Sequence, residues 1–526
     1  MPAATQPQAP TGLTGNVTDY LFEHSLRQGE RTYLITPDRN WSFRAIADRA
    51  GQIANYLKAI GVRPGERVLF SVLDGADFPA LFLGIMRMGA IALPINSYLK
   101  PDDYAYYVRD SACVAVIVDH SLAPVIKAIR ADLPALKHVI STGQAADGLP
   151  FLDSEIAALS SDCPAHPTDP DDMAFWLYSS GSTGSPKGVV HTGNHIYWAS
   201  ELFGSATMGM TENDVILSPP KMYFAFGLGA QVYFPLRMGA QNITNPKPIS
   251  PDIVWEQWLA HEPTIVIGVP TLFAALLRIA EDKIGAERVR AACRRLRYCI
   301  SGGEVLPAVL MERWRKFADV QILDGVGTTE MTHMFMLNRL DAAVPGSCGR
   351  LVHGYRAELL DDAGQRVPVG EIGNLHVYGP TAATQYWNKP EKTAEVMGKG
   401  GVLTGDKMSC DADGNYFLVG RSDDMLRVGG IWVSPAEVES AIARHDSVLE
   451  CAVIGFPDEE GMIKPKAYVV LRDAGGDSAA MAEALRTHVR ATLAHFKCPR
   501  WFVFVDELPK TSTGKIQRFR LRQLTD

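Results

Sequence analysis

The chain has 526 residues, of which 47% are hydrophobic, and its 51 Lys and Arg against 59 Asp and Glu give a formal net charge of −8. This length predicts about three or four domain-sized units with large cores. The acidic balance argues against nucleic acid and anionic membranes as partners, because no global basic field would attract them. Local charges and backbone N–H groups must therefore bind any anionic ligand.

Residues 1–16 lack the basic region and apolar core of a signal peptide, and no transit peptide is indicated, so we interpret them as a flexible tail. No run reaches the roughly 18 continuous apolar residues of a membrane helix. The nearest, residues 78–95, is interrupted by Arg87 and predicts a buried helix that leads into a strand. The eight cysteines include no Cys-x-x-Cys pair, which favours a reducing, cytoplasmic location.

The first half of the chain alternates helix and strand patterns. Ser42 is placed to cap a helix that ends at Gly61 and has an apolar stripe formed by Ile46, Ile53, Leu57 and Ile60. Short β-rich runs follow at residues 63–73, 113–120, 173–180, 264–270, 297–303 and 320–327. Several of them end in glycine or small polar residues, which predicts α/β layers with ligand loops at the strand ends.

After about residue 340 the strands become shorter, and turns at 362–364 and 368–370 predict an antiparallel β module. Ser434 then caps a further helix, and the last hundred or so residues predict a small, mobile α+β domain. We expect a boundary within 420–424. The predicted organisation is the tail, an amino-terminal domain at 17–421 that includes the antiparallel module, and a carboxyl-terminal domain at 422–526.

The stretch WLYSSGSTGSPKGVVH, residues 176–191, predicts a phosphate-binding loop. Its lysine spacing does not match a Walker loop, but small residues that expose N–H groups, hydroxyl donors and a lysine suit a phosphate. The alternative is a polar turn between a strand and a helix. The candidate ligands are Ser179, Ser180, Gly181, Ser182, Thr183, Gly184 and Lys187. Nearby, His191 and His195 have helical spacing, but without a clustered carboxylate they favour a core or surface role over a metal site.

Further candidates follow along the chain. In DGVGTTE, residues 324–330, the carboxylate of Glu330 suits Mg²⁺, which takes oxygen ligands and shares them with phosphates. Asp406, after a tight turn, can accept hydrogen bonds from ribose hydroxyls. Lys515 lies on a glycine-flanked polar loop near the carboxyl terminus. Taken singly, the Glu330 and Lys515 motifs fit an ordinary turn or a solvated surface side chain better than a functional site.

In this order, the motifs YSSGSTGSPKG, DGVGTTE, TGD, GRSDDMLRVGG and PKTSTGK resemble those of the adenylate-forming superfamily. This superfamily contains acyl- and aryl-CoA ligases, luciferases and the adenylation domains of peptide synthetases. The resemblance extends from Asp19 to Arg520. It implies a two-step reaction: a carboxylate attacks the α-phosphate of ATP to form an acyl-adenylate and pyrophosphate, and the thiol of CoA then displaces AMP.

The resemblance also implies roles for residues. Lys515 would bridge the carboxylate and the α-phosphate, Glu330 would hold Mg²⁺, and Thr329 would contact the α-phosphate. The predicted phosphate-binding loop in residues 176–191 would hold the β- and γ-phosphates. The remaining nucleotide site would comprise Gly303, Glu304, Asp324 and Gly325 at the base, and Asp406 and Arg421 at the ribose. Val326 departs from the family, which often has an aromatic residue there, so apolar contact would replace base stacking.

The carboxyl-terminal domain is implied to rotate about a hinge at Asp423 so that its other face delivers CoA. Gly430 would line the pantetheine tunnel, and Phe496 and Arg500 match contacts to the nucleotide end of CoA. Cys498 departs from relatives that have a basic residue at this position.

The acyl pocket is implied by the segment KMYFAFGLG, whose Phe224, Ala225, Phe226 and Gly227 form a wall suited to a flat ring. Opposite this wall lie Gly325, Gly327 and His333, the last as a donor near the carboxylate or as a packing residue. With GTTEMTHMF, this segment resembles benzoate–CoA ligases more than 4-chlorobenzoate, coumarate or fatty-acyl ligases. The implied substrates are benzoate, ATP and CoA.

Three alternatives stay open: an aryl-acid adenylation enzyme that loads a carrier protein, a CoA ligase for another small aromatic acid, and a silent nucleotide-binding or scaffold protein. The presence of Lys515, Glu330 and Asp406 disfavours the last. The absence of a carrier module favours the CoA ligase over carrier loading. The oligomeric state is open, and a homodimer is compatible with the sequence.

Overall fold

A computed structural model describes residues 12–99, 101–179, 185–304, 306–398, 400–422, 424–428, 431–472, 477–510 and 516–523. The predicted site residues outside these ranges are Ser180, Gly181, Ser182, Thr183, Gly184, Asp423, Gly430 and Lys515. The chain divides into two compact units, residues 1–356 with 377–402 and residues 357–376 with 403–526. This grouping places most of the antiparallel module with the carboxyl-terminal residues, whereas the boundary at 421/422, which stays a prediction, places it with the amino-terminal domain.

The α-helices are α1 Val17–Ser25, α2 Phe43–Ala59, α3 Asp77–Arg87, α4 Pro101–Ser111, α5 Ala123–Ile129, α6 Leu152–Ile156, α7 Gly193–Ala199, α8 Ala225–Leu228, α9 Phe234–Met238, α10 Pro251–His261, α11 Pro270–Ile279, α12 Ala286–Ala292, α13 Ala308–Ala318, α14 Pro390–Met397, α15 Pro435–Ile442, α16 Ser478–Arg490 and α17 Arg518–Leu521. π-Helical turns follow α7, α8 and α11 at Ser200–Thr207, Gly229–Tyr233 and Ala280–Ile284. None of the helices in the described ranges is both long enough and apolar enough to cross a bilayer.

The strands are β1 Thr32–Ile35, β2 Asn40–Ser42, β3 Arg67–Ser71, β4 Ile91–Pro94, β5 Ala115–Asp119, β6 His138–Thr142, β7 Met173–Ser179, β8 Lys187–Thr192, β9 Val215–Leu217, β10 Gln241–Ile243, β11 Ile265–Gly268, β12 Tyr298–Ser301, β13 Ile322–Gly327, β14 Met334–Leu337, β15 Arg350–Leu351, β16 Arg356–Leu360, β17 Gly373–Tyr378, β18 Val402–Cys410, β19 Tyr416–Arg421, β20 Leu426–Val428, β21 Ile431–Val433, β22 Val448–Pro457, β23 Ile463–Leu471 and β24 Trp501–Phe504.

The first unit contains two large sheets. One has the order β15-β14-β13-β12-β11-β9-β10-β1-β2, and the other has the order β6-β5-β3-β4-β7-β8. From β13 to β1 in the first and from β6 to β7 in the second, neighbouring strands are parallel. Ligands of such sheets bind beyond the carboxyl ends of the strands, and the predicted motifs follow the ends of β7, β12 and β13.

The predicted first helix is confirmed as α2. Ser42 caps it, since its hydroxyl accepts a hydrogen bond from the N–H of Ala45, and its buried face includes Ile46, Ile53 and Leu57. The structure differs from the expected tail at residues 13–16. Leu13 and Asn16 are buried, and the Asn16 amide donates to the carbonyls of Met86 at 3.0 Å and His166 at 3.1 Å. These buried polar bonds anchor the chain before α1 begins.

The second unit contains most of the predicted antiparallel module as a four-stranded sheet, β16-β17-β18-β19. It also contains a three-stranded sheet in which β22 pairs antiparallel with β23, and β23 pairs parallel with β24. Ser434 caps α15 as predicted, because its hydroxyl accepts from the N–H of Glu437. The α+β character predicted for the last hundred residues is therefore confirmed.

Candidate active site

The predicted phosphate loop connects two antiparallel strands rather than a strand and a helix. β7 pairs with β8, and Ser179 stands opposite Lys187 at the loop end of this hairpin. Beyond the loop, Val189 and Val190 have β-branched side chains that favour a strand over an immediate helix. The hydroxyl of Tyr106 on α4 donates to the carbonyl of Pro186 at 2.6 Å and so fixes the chain where the loop returns.

Glu330 lies directly beside this hairpin, although 151 residues separate it from Ser179. Its Oε1 accepts hydrogen bonds from the hydroxyl of Ser179 at 3.2 Å and from the hydroxyl of Tyr386 at 2.8 Å. Both hydrogen bonds are to the same oxygen, and together they orient the carboxylate. A half-buried carboxylate held in this way fits Mg²⁺, which prefers oxygen ligands.

Tyr386 contacts two of the candidate residues, although the sequence patterns did not indicate it. It belongs to a segment that runs beside β8, where Val190 N–H donates to Gln385 O at 3.1 Å and Trp387 N–H donates to Gly188 O at 2.8 Å. The Lys187 ammonium lies 5.1 Å from the centroid of the Tyr386 ring. Tyr386 therefore contacts both the phosphate-loop lysine and Glu330. No glycine-rich or charged motif marks it, so the sequence carried no signal for this role.

The turn that carries Thr329 and Glu330 begins with a short 3₁₀ segment, Thr329–Met331, directly after β13. The N–H of Ala383 donates to the carbonyl of Glu330 at 2.8 Å. Thr329 and Glu330 are both half-buried. The turn is therefore held in place by the backbone of a distant segment, while the side chains of Thr329 and Glu330 stay partly exposed.

The predicted acyl wall follows a bend at the start of α8. Phe224, Ala225 and Phe226 are partly buried against the core and keep part of their apolar surface exposed. Gly227 is required here, because a Cβ on it would lie 2.1 Å from the Lys221 carbonyl oxygen. A buried ion pair between Lys221 and Asp74, 3.1 Å apart, anchors the same segment.

His333 contacts this wall directly, with its Nε2 3.3 Å from the carbonyl oxygen of Phe226. Since a carbonyl only accepts, Nε2 carries the ring proton and donates it, which leaves Nδ1 as an acceptor. Burial lowers the pKa of His333 to about 3, so the ring is neutral near pH 7. The hydrogen bond to Phe226 therefore occupies the one proton that a donor role toward a carboxylate would need.

The surroundings of His333 add residues that the sequence analysis did not single out. Its ring lies 4.8 Å from that of Phe203 and 4.7 Å from that of Phe234. A Cβ at Gly229 would approach His333 Cδ2 to 2.5 Å, and one at Gly327 would approach the His333 carbonyl oxygen to 2.6 Å. His333 is therefore closely packed against both glycines. Gly229 also begins a π-helical turn, a feature often found at functional sites.

The predicted adenine residues lie after β12 and within β13. Gly303 is exposed with φ +84°, Glu304 is half-buried, and Gly325 is buried in a close approach to β14. Asp324 is almost fully buried, and burial raises the pKa of its carboxyl well above its ordinary value. A buried, more readily protonated Asp324 fits support of the strand end better than direct contact with a base. Val326 is half-buried, which suits the apolar contact predicted for it.

The second unit brings together the two predicted ribose residues. Arg421 Nη1 donates to Asp406 Oδ1 at 3.0 Å and to the carbonyl of Thr404 at 2.9 Å. Gly405 between them has φ +76°, a conformation that favours glycine. Asp406 is buried while Arg421 is exposed, so Arg421 orients the carboxylate at the edge of this sheet.

The predicted CoA residues of the same unit lie beside α16 and β24. Phe496 packs partly buried against the core in a short 3₁₀ turn, His495–Lys497. Arg500 forms an ion pair with Asp458 at 2.8 Å, and its side chain is 51% exposed. Cys498 is buried. Arg500 is therefore oriented but accessible, as a phosphate contact requires.

Comparison with known proteins agrees with this arrangement. The family model "AMP-binding enzyme" matches residues 21–387, and its "AMP-binding enzyme C-terminal domain" matches residues 437–515. A benzoate–CoA ligase of Thauera aromatica is 42% identical over 512 residues, which cover 96% of this chain and 95% of that protein.

Two solved structures are also similar. An anthranilate CoA ligase in complex with anthranoyl-AMP has a TM-score of 0.92 and 39% identity, covering 99% of this chain and 98% of that one. A benzoate CoA ligase from Burkholderia xenovorans LB400 has a TM-score of 0.87 and 39% identity, covering 96% and 99%. The predicted membership of the adenylate-forming superfamily is confirmed: the chain belongs to the AMP-binding enzyme family.

Proposed function

We propose that this protein activates benzoate with ATP to benzoyl-AMP and transfers the acyl group to CoA, releasing pyrophosphate and AMP. One observation carries the choice of acid: the hydrogen bond between His333 and Phe226 joins an apolar aromatic wall to the turn that presents Thr329 and Glu330. An aromatic ring against this wall would have its carboxylate near the end that binds ATP. The similarity to benzoate–CoA ligases supports the same acid.

The chemistry follows from charge. An aromatic acid with a pKa near that of Glu, about 4.3, is already an anion at neutral pH, so adenylation needs no general base. The obstacle is the approach of two anions. Lys515 and Thr329 would reduce it by donating to the carboxylate and the α-phosphate, and the hairpin loop would hold the β- and γ-phosphates.

Mg²⁺ fits the site because Glu330 presents an oriented carboxylate oxygen. Among the residues that the structure describes, no group of three or more His, Cys, Asp or Glu could hold a metal by itself. Its other ligands would therefore come from ATP phosphates and water, as is usual for Mg²⁺. When bound, the ion would supply charge neutralisation on the phosphates, while Ser179 and Tyr386 orient the Glu330 carboxylate that would hold it.

The protein would thus use ATP, Mg²⁺ and CoA. The cytoplasmic location rests on the scattered cysteines, all of which are free thiols and most of which are buried. Measurement of the mass in solution would test whether the protein forms a homodimer.

The wall supplies a test of the acid. Phe224→His would introduce a polar ring beside the pocket, so we expect it to weaken discrimination against 4-hydroxybenzoate, whose hydroxyl costs about 1–3 kcal/mol when buried without a partner. The ratio of kcat/KM for benzoate to that for 4-hydroxybenzoate should fall about tenfold. Phe224→Leu, which stays apolar, is the matched control and should keep the ratio. An unchanged ratio in Phe224→His would remove Phe224 from the wall.

A second candidate substrate is a benzoate with an adjacent ring amine. Among the described residues none partners the buried Nδ1 of His333, which can only accept a hydrogen bond. A ring amine is a donor, and a similar solved structure is that of an anthranilate CoA ligase. A higher kcat/KM for 2-aminobenzoate than for benzoate would move the proposal to that acid, and the reverse order would keep benzoate.

A further inference from the structure

The turn after Glu330 adopts a strained conformation at Thr332. This residue has φ +65° and ψ −41°, and the N–H of His333 donates to the carbonyl of Met331 at 2.7 Å across it. A three-residue turn with positive φ at its centre is rare and strained for a residue with a side chain. Such a conformation persists only where surrounding contacts hold it. Thr332 lies between the predicted Mg²⁺ ligand Glu330 and the pocket residue His333, so its geometry affects both.

The contacts that hold Thr332 come from two distant segments. Its hydroxyl donates to the carbonyl of Thr381 at 3.0 Å and lies 3.1 Å from Nδ1 of His191. Because the hydroxyl has one hydrogen and gives it to Thr381, Nδ1 of His191 must carry the ring proton and donate to the hydroxyl oxygen. Thr381 in turn donates through its own hydroxyl to the carbonyl of Met331 at 2.9 Å. Both Thr332 and His191 are almost completely buried.

His191 is itself fixed in a defined orientation. Its ring stacks on Phe175 with centroids 4.9 Å apart, and its Nδ1 is 3.1 Å from Nδ1 of His195. The N–H of Thr192 donates to that same nitrogen of His195 at 3.3 Å, which identifies it as an acceptor. The single Nδ1–H of His191 is therefore shared between two acceptors, His195 Nδ1 and the Thr332 hydroxyl oxygen. Burial, reinforced by His195, holds the pKa of His191 well below its ordinary value, so the ring is neutral.

His191 lies on β8, the strand that leaves the phosphate loop, and Ser179 ends β7, the strand that enters it. The hairpin thus contacts the Glu330 turn at two points, through Ser179 to Glu330 and through His191 to Thr332. We propose that Thr332 and His191 are positioning residues whose hydrogen bond fixes the Glu330 turn in register with the phosphate-loop hairpin. This inference rests on the proposed function, because it assumes that Glu330 and the loop act on the same ATP.

The two half-reactions separate this role from a purely structural one. Thr332→Val keeps the shape of the side chain and removes the hydroxyl, so we expect benzoate-dependent pyrophosphate release to fall about 30-fold, as a small misplacement of a reacting group can cause. The Mg²⁺ concentration needed for half-maximal rate should rise. Formation of benzoyl-CoA from supplied benzoyl-adenylate should stay within about twofold of wild type, because pyrophosphate is neither formed nor released in that step.

Three further single variants and one double variant test whether the hydroxyl contact is responsible. Thr332→Ser restores the hydroxyl and should recover pyrophosphate release to within about threefold of wild type. Thr332→Gly removes the backbone strain as well as the contact, so it should fold and still lose adenylation. It replaces Thr332→Val as the test if that variant proves unstable. His191→Phe keeps the stacking on Phe175 and should resemble Thr332→Val. In the double variant His191→Phe/Thr332→Val the losses should not add, because both remove one contact.

Equal losses in both half-reactions, independent additive losses of the two variants, or full adenylation in Thr332→Gly would overturn the inference. Failure of the proposed function is recognised separately, because wild-type protein would then release no pyrophosphate with benzoate.

Discussion

Lys515→Ala is expected to reduce benzoate-dependent pyrophosphate release about 1,000-fold while leaving thioester formation from supplied benzoyl-adenylate within about threefold of wild type. The reason is electrostatic: an ammonium between the carboxylate and the α-phosphate stabilises negative charge only while the two anions combine, and removing such a donor costs about 10²–10³ in rate. Once the adenylate exists, its phosphate is a leaving group and this bridge has no further task.

Lys510→Ala is the matched control, because this lysine lies in the same segment and pairs with Glu450 at 2.6 Å on the surface. Removing it should change neither half-reaction appreciably, since exposed ion pairs contribute little. Rapid-quench measurement of each half-reaction checks both variants. If Lys515→Ala lost both half-reactions equally, the assignment of this lysine to the first step alone would be wrong.

Glu330→Gln is expected to lower the rate of adenylation about 100-fold and to raise the Mg²⁺ requirement. The amide oxygen can still accept the hydrogen bonds that Ser179 and Tyr386 donate to Oε1, so the turn keeps its conformation and only the charge is lost. The measurement is pyrophosphate release as a function of Mg²⁺ at saturating ATP and benzoate.

Tyr386→Phe separates orientation from charge at the same oxygen. It removes one hydrogen bond to Glu330 and leaves the carboxylate charged, so its loss should be about tenfold or less and its Mg²⁺ dependence close to that of wild type. A Glu330→Gln variant with an unchanged Mg²⁺ dependence would argue that Glu330 does not bind the metal.

Local sequence patterns predicted the helices and strands well, because helix caps and β-rich runs depend on neighbouring residues. Ser42 and Ser434 cap helices as expected, since a hydroxyl beside a free N–H works in any context. The β-rich runs at 113–120 and 297–303 form β5 and β12 within largely parallel sheets. Asn16 shows the limit. Nothing local in the first residues indicates that its amide bonds the backbone at Met86 and His166.

The site was predictable in its motifs and not in its assembly. Glu330 and the loop were recognised by their order along the chain, but their contact joins residues 151 positions apart and depends on the packing of two sheets. Tyr386 lies outside every motif, and Thr332 lies within GTTEMTHMF without standing out there, because a hydrogen-bonding hydroxyl is common and only its tertiary contacts define its role. The hydrogen bond from His333 to the carbonyl of Phe226 could not be predicted for the same reason, since the two residues are 107 positions apart. That bond bears directly on the donor role considered for His333.

The central claim is the two-step conversion of benzoate, and mass analysis of the products tests it most directly. Purified protein with benzoate, ATP, Mg²⁺ and CoA should yield benzoyl-CoA and AMP in equal amounts. Benzoyl-adenylate without thioester would contradict the CoA step and indicate an enzyme that loads a carrier protein. If no AMP formed, the proposed acid or the proposed reaction would be wrong.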